Sequence, residues 1–124
     1  MSDTFVFASE ERARPNRELF AQVASPSGKR AYVLTVRDVS RSGALIELSN
    51  FRLSWLVPGR ELELTISGEG EDESVELRGP VARVSDSGDD PVFAVRFAGP
   101  SRRSRRYIER LIESGRKVRA RSVI

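Results

Sequence analysis

The most restrictive feature of this chain is the run Glu61-Leu62-Glu63-Leu64-Thr65-Ile66, in which polar and apolar side chains alternate without a break. A period of two places every second side chain on one face of an extended strand, whereas a helix would scatter Leu62, Leu64 and Ile66 around its axis. The run therefore predicts a strand with one face buried and one solvated.

Weaker copies of the pattern recur along the chain. Leu19, Ala21 and Val23 alternate with Phe20, Gln22 and Ala24 up to the turn Ser25-Pro26-Ser27-Gly28. Tyr32, Leu34 and Val36 share a face between Arg30 and Val39, and after Ser40-Arg41-Ser42-Gly43 the residues Ala44 to Leu48 read as a half-buried strand. Val75 and Leu77 resume the inward set after an acidic, Gly-containing loop, and Phe93, Val95 and Phe97 close it after a second polar loop. Gly79-Pro80 interrupts the strand begun at Val75, and beyond it the apolar positions shift to Ala82 and Val84, which predicts a bulge. The connection from Ser49 to Gly59 carries Phe51, Leu53, Trp55 and Leu56, too apolar for a loose loop, and Trp55 is expected in the core.

Short strands of this kind, separated by turn signals, predict an all-β fold with one C-terminal helix, a six-stranded antiparallel β-barrel, closed or nearly so. The helix follows Gly99-Pro100, where the period lengthens: Ser101 is placed as N-cap, Tyr107, Ile108, Leu111 and Ile112 fall on one stripe, and Gly115 is the expected stop. The organisation read from these signals is a lead-in over 1–11, one domain over 12–115 and a basic tail over 116–124.

A chain of 124 residues with 39% hydrophobic content supports one core and not two. The absence of both Cys and His removes disulfides, thiolate chemistry, the commonest general base and the commonest transition-metal ligand, so neither an enzyme nor a metal protein is expected. The acidic groups Glu71-Asp72-Glu73 and Asp89-Asp90 lack the spacing of a calcium loop and read as solvated loops. No apolar run is long enough to cross a bilayer, and Met1 to Glu10 carries acids in place of a leader pattern, so a cytoplasmic protein without membrane insertion is expected.

Formal charge is +3, but it is segregated: Glu61 to Asp90 is mostly acidic and Arg102 to Arg121 mostly basic. Such asymmetry gives the molecule an anion-attracting side. The C-terminal arginines suit a phosphate backbone, but only Tyr107 lies among them, and nucleic acid is not the expected partner.

Two further elements carry the functional signal: the arginines Arg12, Arg14 and Arg17, and the turn Asp38-Val39-Ser40-Arg41-Ser42-Gly43. Taken singly, the first reads as a solvated charge patch and the second as turn chemistry, with Asp38 and Ser40 capping amides and Gly43 taking a positive φ. In this order, at the front of a six-stranded barrel with a terminal helix, they resemble the PilZ domain. The resemblance extends from Glu11 to about Glu113 and includes Ala44-Leu45-Ile46-Glu47-Leu48 after the turn, Pro58-Gly59, Gly79-Pro80-Val81-Ala82-Arg83-Val84 and Ala94-Val95-Arg96-Phe97.

The resemblance implies binding of cyclic di-GMP. Arginines would stack on guanine or clamp phosphate, Asp38 would accept from guanine or orient an arginine, Ser40 would bond guanine or phosphate, and Gly43 would admit a close approach. One departure is evident. Aligning the family's R-x-x-x-R pattern on Arg17 puts Ala13 where its first arginine belongs. Two readings follow: a cyclic di-GMP receiver in motility or cell-surface regulation, or an adaptor that has kept the fold and works through a protein partner without the ligand, for which an exposed apolar patch around Phe51, Leu53 and Trp55 is expected.

Overall fold

In a computed structural model the described residues are 18–49, 51–68, 73–85 and 90–123, with side chains described as far as Ile112. Six strands and one helix follow in order: β1 (Leu19–Ala24), β2 (Ala31–Val39), β3 (Gly43–Glu47), β4 (Glu61–Gly68), β5 (Ser74–Ser85), β6 (Val92–Arg96) and α1 (Arg102–Val123). The strands close into an antiparallel barrel in the order β1-β2-β3-β6-β5-β4. Alternation sets the faces: Leu62, Leu64 and Ile66 of β4 and Val75 and Leu77 of β5 enter the core as predicted, and of the two faces of β1 it is Leu19, Ala21 and Val23 that do so.

Two parts of the sheet differ from the sequence reading. Pro80 does not interrupt β5, because it lies opposite Glu61 in an unbroken β4–β5 register, and the inward phase runs through Gly79 to Val81. The bulge falls just after it, on the side facing β6, between Val81 and Arg83. The missing amide of Pro80 is accommodated next to Val81, whose N–H donates to the Arg60 carbonyl at 2.8 Å while its own carbonyl accepts from Gly59. Gly79 is required for another reason. A Cβ there would collide with the backbone of Arg96, where the chain leaves β6 and the Ala98 amide bonds the Arg78 carbonyl.

The second difference concerns β3 and β6, which are not half-buried strands. Four consecutive residues of each are buried, Gly43 to Ile46 and Val92 to Val95. Ala44 and Ile46 face the barrel interior with Phe93 and Val95, while Leu45, Val92 and Ala94 form a separate outward cluster against which Ala82 packs.

The connection after β3 packs on the barrel core. Leu56 is buried, Leu53 and Trp55 pack half-buried against the core, and Tyr32 meets Phe51 edge-on at 5.2 Å and Trp55 at 6.1 Å. Trp55 thus belongs to the core margin, and of the three residues expected in an apolar patch only Phe51 is exposed, at 42%. The helix begins as predicted, with the Ser104 amide donating to the Ser101 hydroxyl at 3.1 Å. Tyr107, Ile108 and Ile112 seat it on the core. Gly115 does not stop it. A C-terminal glycine ends a helix by adopting a left-handed conformation, and the described glycines with positive φ are Gly28, Gly59 and Gly99, so the backbone stays helical to Val123.

Candidate functional site

The turn between β2 and β3 is built around one buried hydroxyl. Ser40 is fully buried, and its Oγ accepts from the amides of Ser42 and Gly43, both at 3.2 Å, while its own amide donates to the Gly43 carbonyl at 2.8 Å. The Ser42 carbonyl in turn accepts from Phe97, tying the turn to the end of β6 at 2.7 Å. Ser40 is thus committed to the turn. Gly43 departs from the turn reading: it is a strand residue paired with Arg96 and does not take a positive φ.

Asp38 owes its position to a bulge. The β2–β3 register passes from Val36 opposite Ile46 to Asp38 opposite Leu45, leaving Arg37 as the extra residue. Residues directly opposite one another share a face, so Asp38 lies on the outer surface with Leu45, and the line continues through Ala94 to Arg83 on β5. Three inter-strand steps separate Asp38 from Arg83, roughly 14 Å along the sheet. Between them is the outward apolar floor of Leu45, Val92 and Ala94. One end of the line carries a half-buried carboxylate and the other a guanidinium.

Arg37 forms the rim of this floor. Its Nε donates to Glu47 at 3.2 Å and its terminal nitrogen to Asp90, bridging β2 to the loop that leads into β6. The Arg37 guanidinium holds the Asp90 carboxyl below the ordinary carboxylate range, against a smaller opposing effect of desolvation. In return, the hydrogen bond to Asp90 raises Arg37, opposed by burial and helped by Glu47. Asp90 is therefore an ion-pair partner and not a merely solvated loop residue. Glu73 is likewise engaged, bidentately with Arg110 at 3.0 and 3.1 Å. Arg41 of the turn reaches Glu109 of α1 at 3.7 Å.

Of the six residues expected at the site, Asp38, Ser40 and Gly43 lie together on one turn and its flanking strands; Arg12, Arg14 and Arg17 lie outside the described residues. Arg37, Glu47, Arg83 and Asp90 were not legible as site residues. Their assembly depends on two bulges and on the barrel order, and the only local signal is the continuous apolar run through β3, which marks a strand covered on both faces. Among the described residues no group of three acidic side chains is placed to hold a metal ion, and no helix is long and apolar enough to cross a membrane.

Comparison with known proteins agrees with this architecture. The PilZ domain model matches residues 9–114. Among solved structures, the apo form of MrkH from K. pneumonia superposes with a TM-score of 0.77 at 16% identity, over 90% of this chain and 50% of that one. The PilZ domain of YcgR from Escherichia coli with c-di-GMP gives 0.69 at 18% identity, over 90% and 93%. The Bacillus subtilis inhibitor of motility MotI/DgrA gives 0.65 at 15% identity, over 86% and 50%. The chain thus spans about half the length of MrkH and MotI and nearly all of the YcgR domain. No curated protein matches it.

Proposed function

Because the chain belongs to the PilZ domain family, we propose that it is a non-catalytic receiver of cyclic di-GMP, reading the dinucleotide on the outer surface of β2, β3, β6 and β5 and passing the signal to a protein partner of motility or cell-surface regulation. The YcgR domain, of similar fold, is described with c-di-GMP bound, which supports the choice of ligand. The observation that carries the reading is the line Asp38–Leu45–Ala94–Arg83: an outward apolar floor between a carboxylate and a guanidinium.

A guanine ring asks for these three things. Its faces are apolar and stack on flat surfaces, its N1–H and N2–H donate to a carboxylate, and its O6 and N7 accept from an arginine fork. In this reading Asp38 accepts from a guanine edge, and Arg12, Arg14 and Arg17 close over the ligand from the preceding segment. Ser40 acts one step back, holding the turn that aims Asp38. Closure of the arginine segment is the change in surface that a partner reads.

A second reading is favoured by one specific residue. Ala13 stands where the arginine pattern calls for a guanidinium, and a lost arginine contact to guanine costs roughly 1–3 kcal/mol, about 5- to 150-fold in affinity. A protein so weakened would serve as an adaptor through partner contacts alone. Calorimetric titration with cyclic di-GMP separates the two. The receiver predicts binding by the wild type, weakened about 5- to 150-fold in Asp38→Ala and Arg17→Ala and tightened in Ala13→Arg, with the ligand recovered intact. A wild type that gives no heat, with binding gained only in Ala13→Arg, establishes the adaptor instead.

A further inference from the structure

A second cationic constellation lies away from the Asp38 turn. Arg102, Arg103, Arg106 and Arg110 of α1 line a cavity of about 420 Å³ together with Glu73, the residue that precedes β5. Positions 102, 106 and 110 are four apart, and 103 is three before 106, so the guanidinium-bearing residues form a row along one side of the helix. With a rise of 1.5 Å per residue the row is roughly 12 Å long.

Among the described residues one ion pair is made in this row. Arg110 is fixed, with one terminal nitrogen donating to both carboxylate oxygens of Glu73 at 3.0 and 3.1 Å and the guanidinium lying over the Tyr107 ring, 5.7 Å from its centroid. Arg102, Arg103 and Arg106 make no ion pair among the described residues. Among the described residues the lining sets four guanidiniums against one carboxylate. Nothing in the folding of the helix calls for this arrangement: the apolar contacts that seat α1 come from Tyr107, Ile108 and Ile112, and the arginines stand exposed beside them. Like charges gathered this closely repel, and an anion seated among them removes the repulsion.

The chemistry of the donors selects the anion. Guanidinium groups present paired N–H donors that match phosphate oxygens bidentately and keep their charge at any physiological pH. A single phosphate engages one or two such forks. A row of roughly 12 Å, with one member already preorganised by Glu73 and Tyr107, is matched by an anion carrying several linked phosphates. The concave setting, between the helix and the residue that enters β5, suits a compact ligand more than the outer surface of a duplex.

We propose that the cavity lined by Arg102, Arg103, Arg106 and Arg110 is a binding site for a polyphosphate group, either inorganic pyrophosphate or the phosphate tail of a nucleoside di- or triphosphate, independent of the Asp38 turn. The test is calorimetric titration of the full chain at 150 mM salt, on the order of physiological ionic strength, with inorganic phosphate, pyrophosphate, ATP and GTP as separate probes. Pyrophosphate or a triphosphate is expected to bind at least tenfold more tightly than phosphate. The variant Arg103→Glu/Arg106→Glu, which leaves the Arg110–Glu73 pair in place, is expected to abolish that binding without changing the thermal midpoint, and Asp38→Ala is expected to leave it intact. If phosphate and pyrophosphate bind alike, or if the double variant binds as the wild type does, the site is wrong. Retention of a DNA duplex through the same arginines, with every polyphosphate silent, also overturns the proposal and makes the row a nucleic-acid contact.

Discussion

The two halves of the barrel are built from the same kind of strand yet use their outer faces differently. In β4 and the first part of β5, alternation is strict: Leu62, Leu64, Ile66, Val75 and Leu77 enter the core, while Glu61, Glu63, Ser74 and Glu76 stand in solvent. In β3 and β6, buried residues follow one another without alternation, and the second face carries its own small cluster of Leu45, Val92 and Ala94. A solvated face needs only polar side chains. A covered face has to be shaped, and it is on the covered half that the bulges, the Arg37 ion pairs and the Asp38 turn are found.

Four experiments test how deep that contrast goes. The largest effect is expected at the seam between the halves, in Gly79→Val, where the new Cβ meets the backbone of Arg96; a loss of about 4 kcal/mol or failure to fold is expected, read by urea denaturation. Leu45→Ala comes next, at about 2–3 kcal/mol, within the range of Leu64→Ala on the opposite half. A cost near zero at Leu45 would return β3 to the half-buried class and dissolve the comparison.

Ser40→Ala is expected to cost about 1–3 kcal/mol, because the buried amides of Ser42 and Gly43 lose their acceptor. Backbone amide exchange at Ser42 and Gly43 should rise in the same variant. The smallest effect belongs to the rim. Asp90 has its folded pKa lowered below the ordinary 3.8, so its pairing with Arg37 stabilises the fold above that value and is lost as pH falls through the lowered folded one. Asp90→Asn should remove this small acid-side dependence, and denaturation midpoints compared at about pH 6 and pH 3 will show it.

The parts legible in the sequence are those governed by local rules. Alternation gave the inward residues of β4 and the start of β5; Ser101 announced the start of α1; the phase change past Gly79-Pro80 announced a bulge, which falls just beyond, between Val81 and Arg83. What was missed depends on contacts between distant segments. Gly43 looked like a turn glycine in need of a positive φ, but its partner across the ladder, Arg96, lies 53 positions away, and that pairing makes it a strand residue. Pro80 looked like an interruption because its compensation comes from Arg60 on the approach to β4. Gly115 looked like a helix stop, yet a glycine without the left-handed conformation is only a weak helix residue. The candidate site shares this limit: Asp38 is visible as part of a motif, whereas Arg83 joins it only through two further strands.

Closure of the sheet has a consequence for how any message leaves this protein. The strand order closes, yet in the described sheet β2 over 31–35 is laddered only to β1 and β5 over 74–80 only to β4, so these two short half-edges are where a partner could lay an extra strand. Recruitment by strand addition is confined to these short stretches. Everywhere else a partner has to be recognised through side chains, on the helix, on the connection after β3 with its exposed Phe51, or on the rim of the turn, and its specificity there will show in single-residue variants.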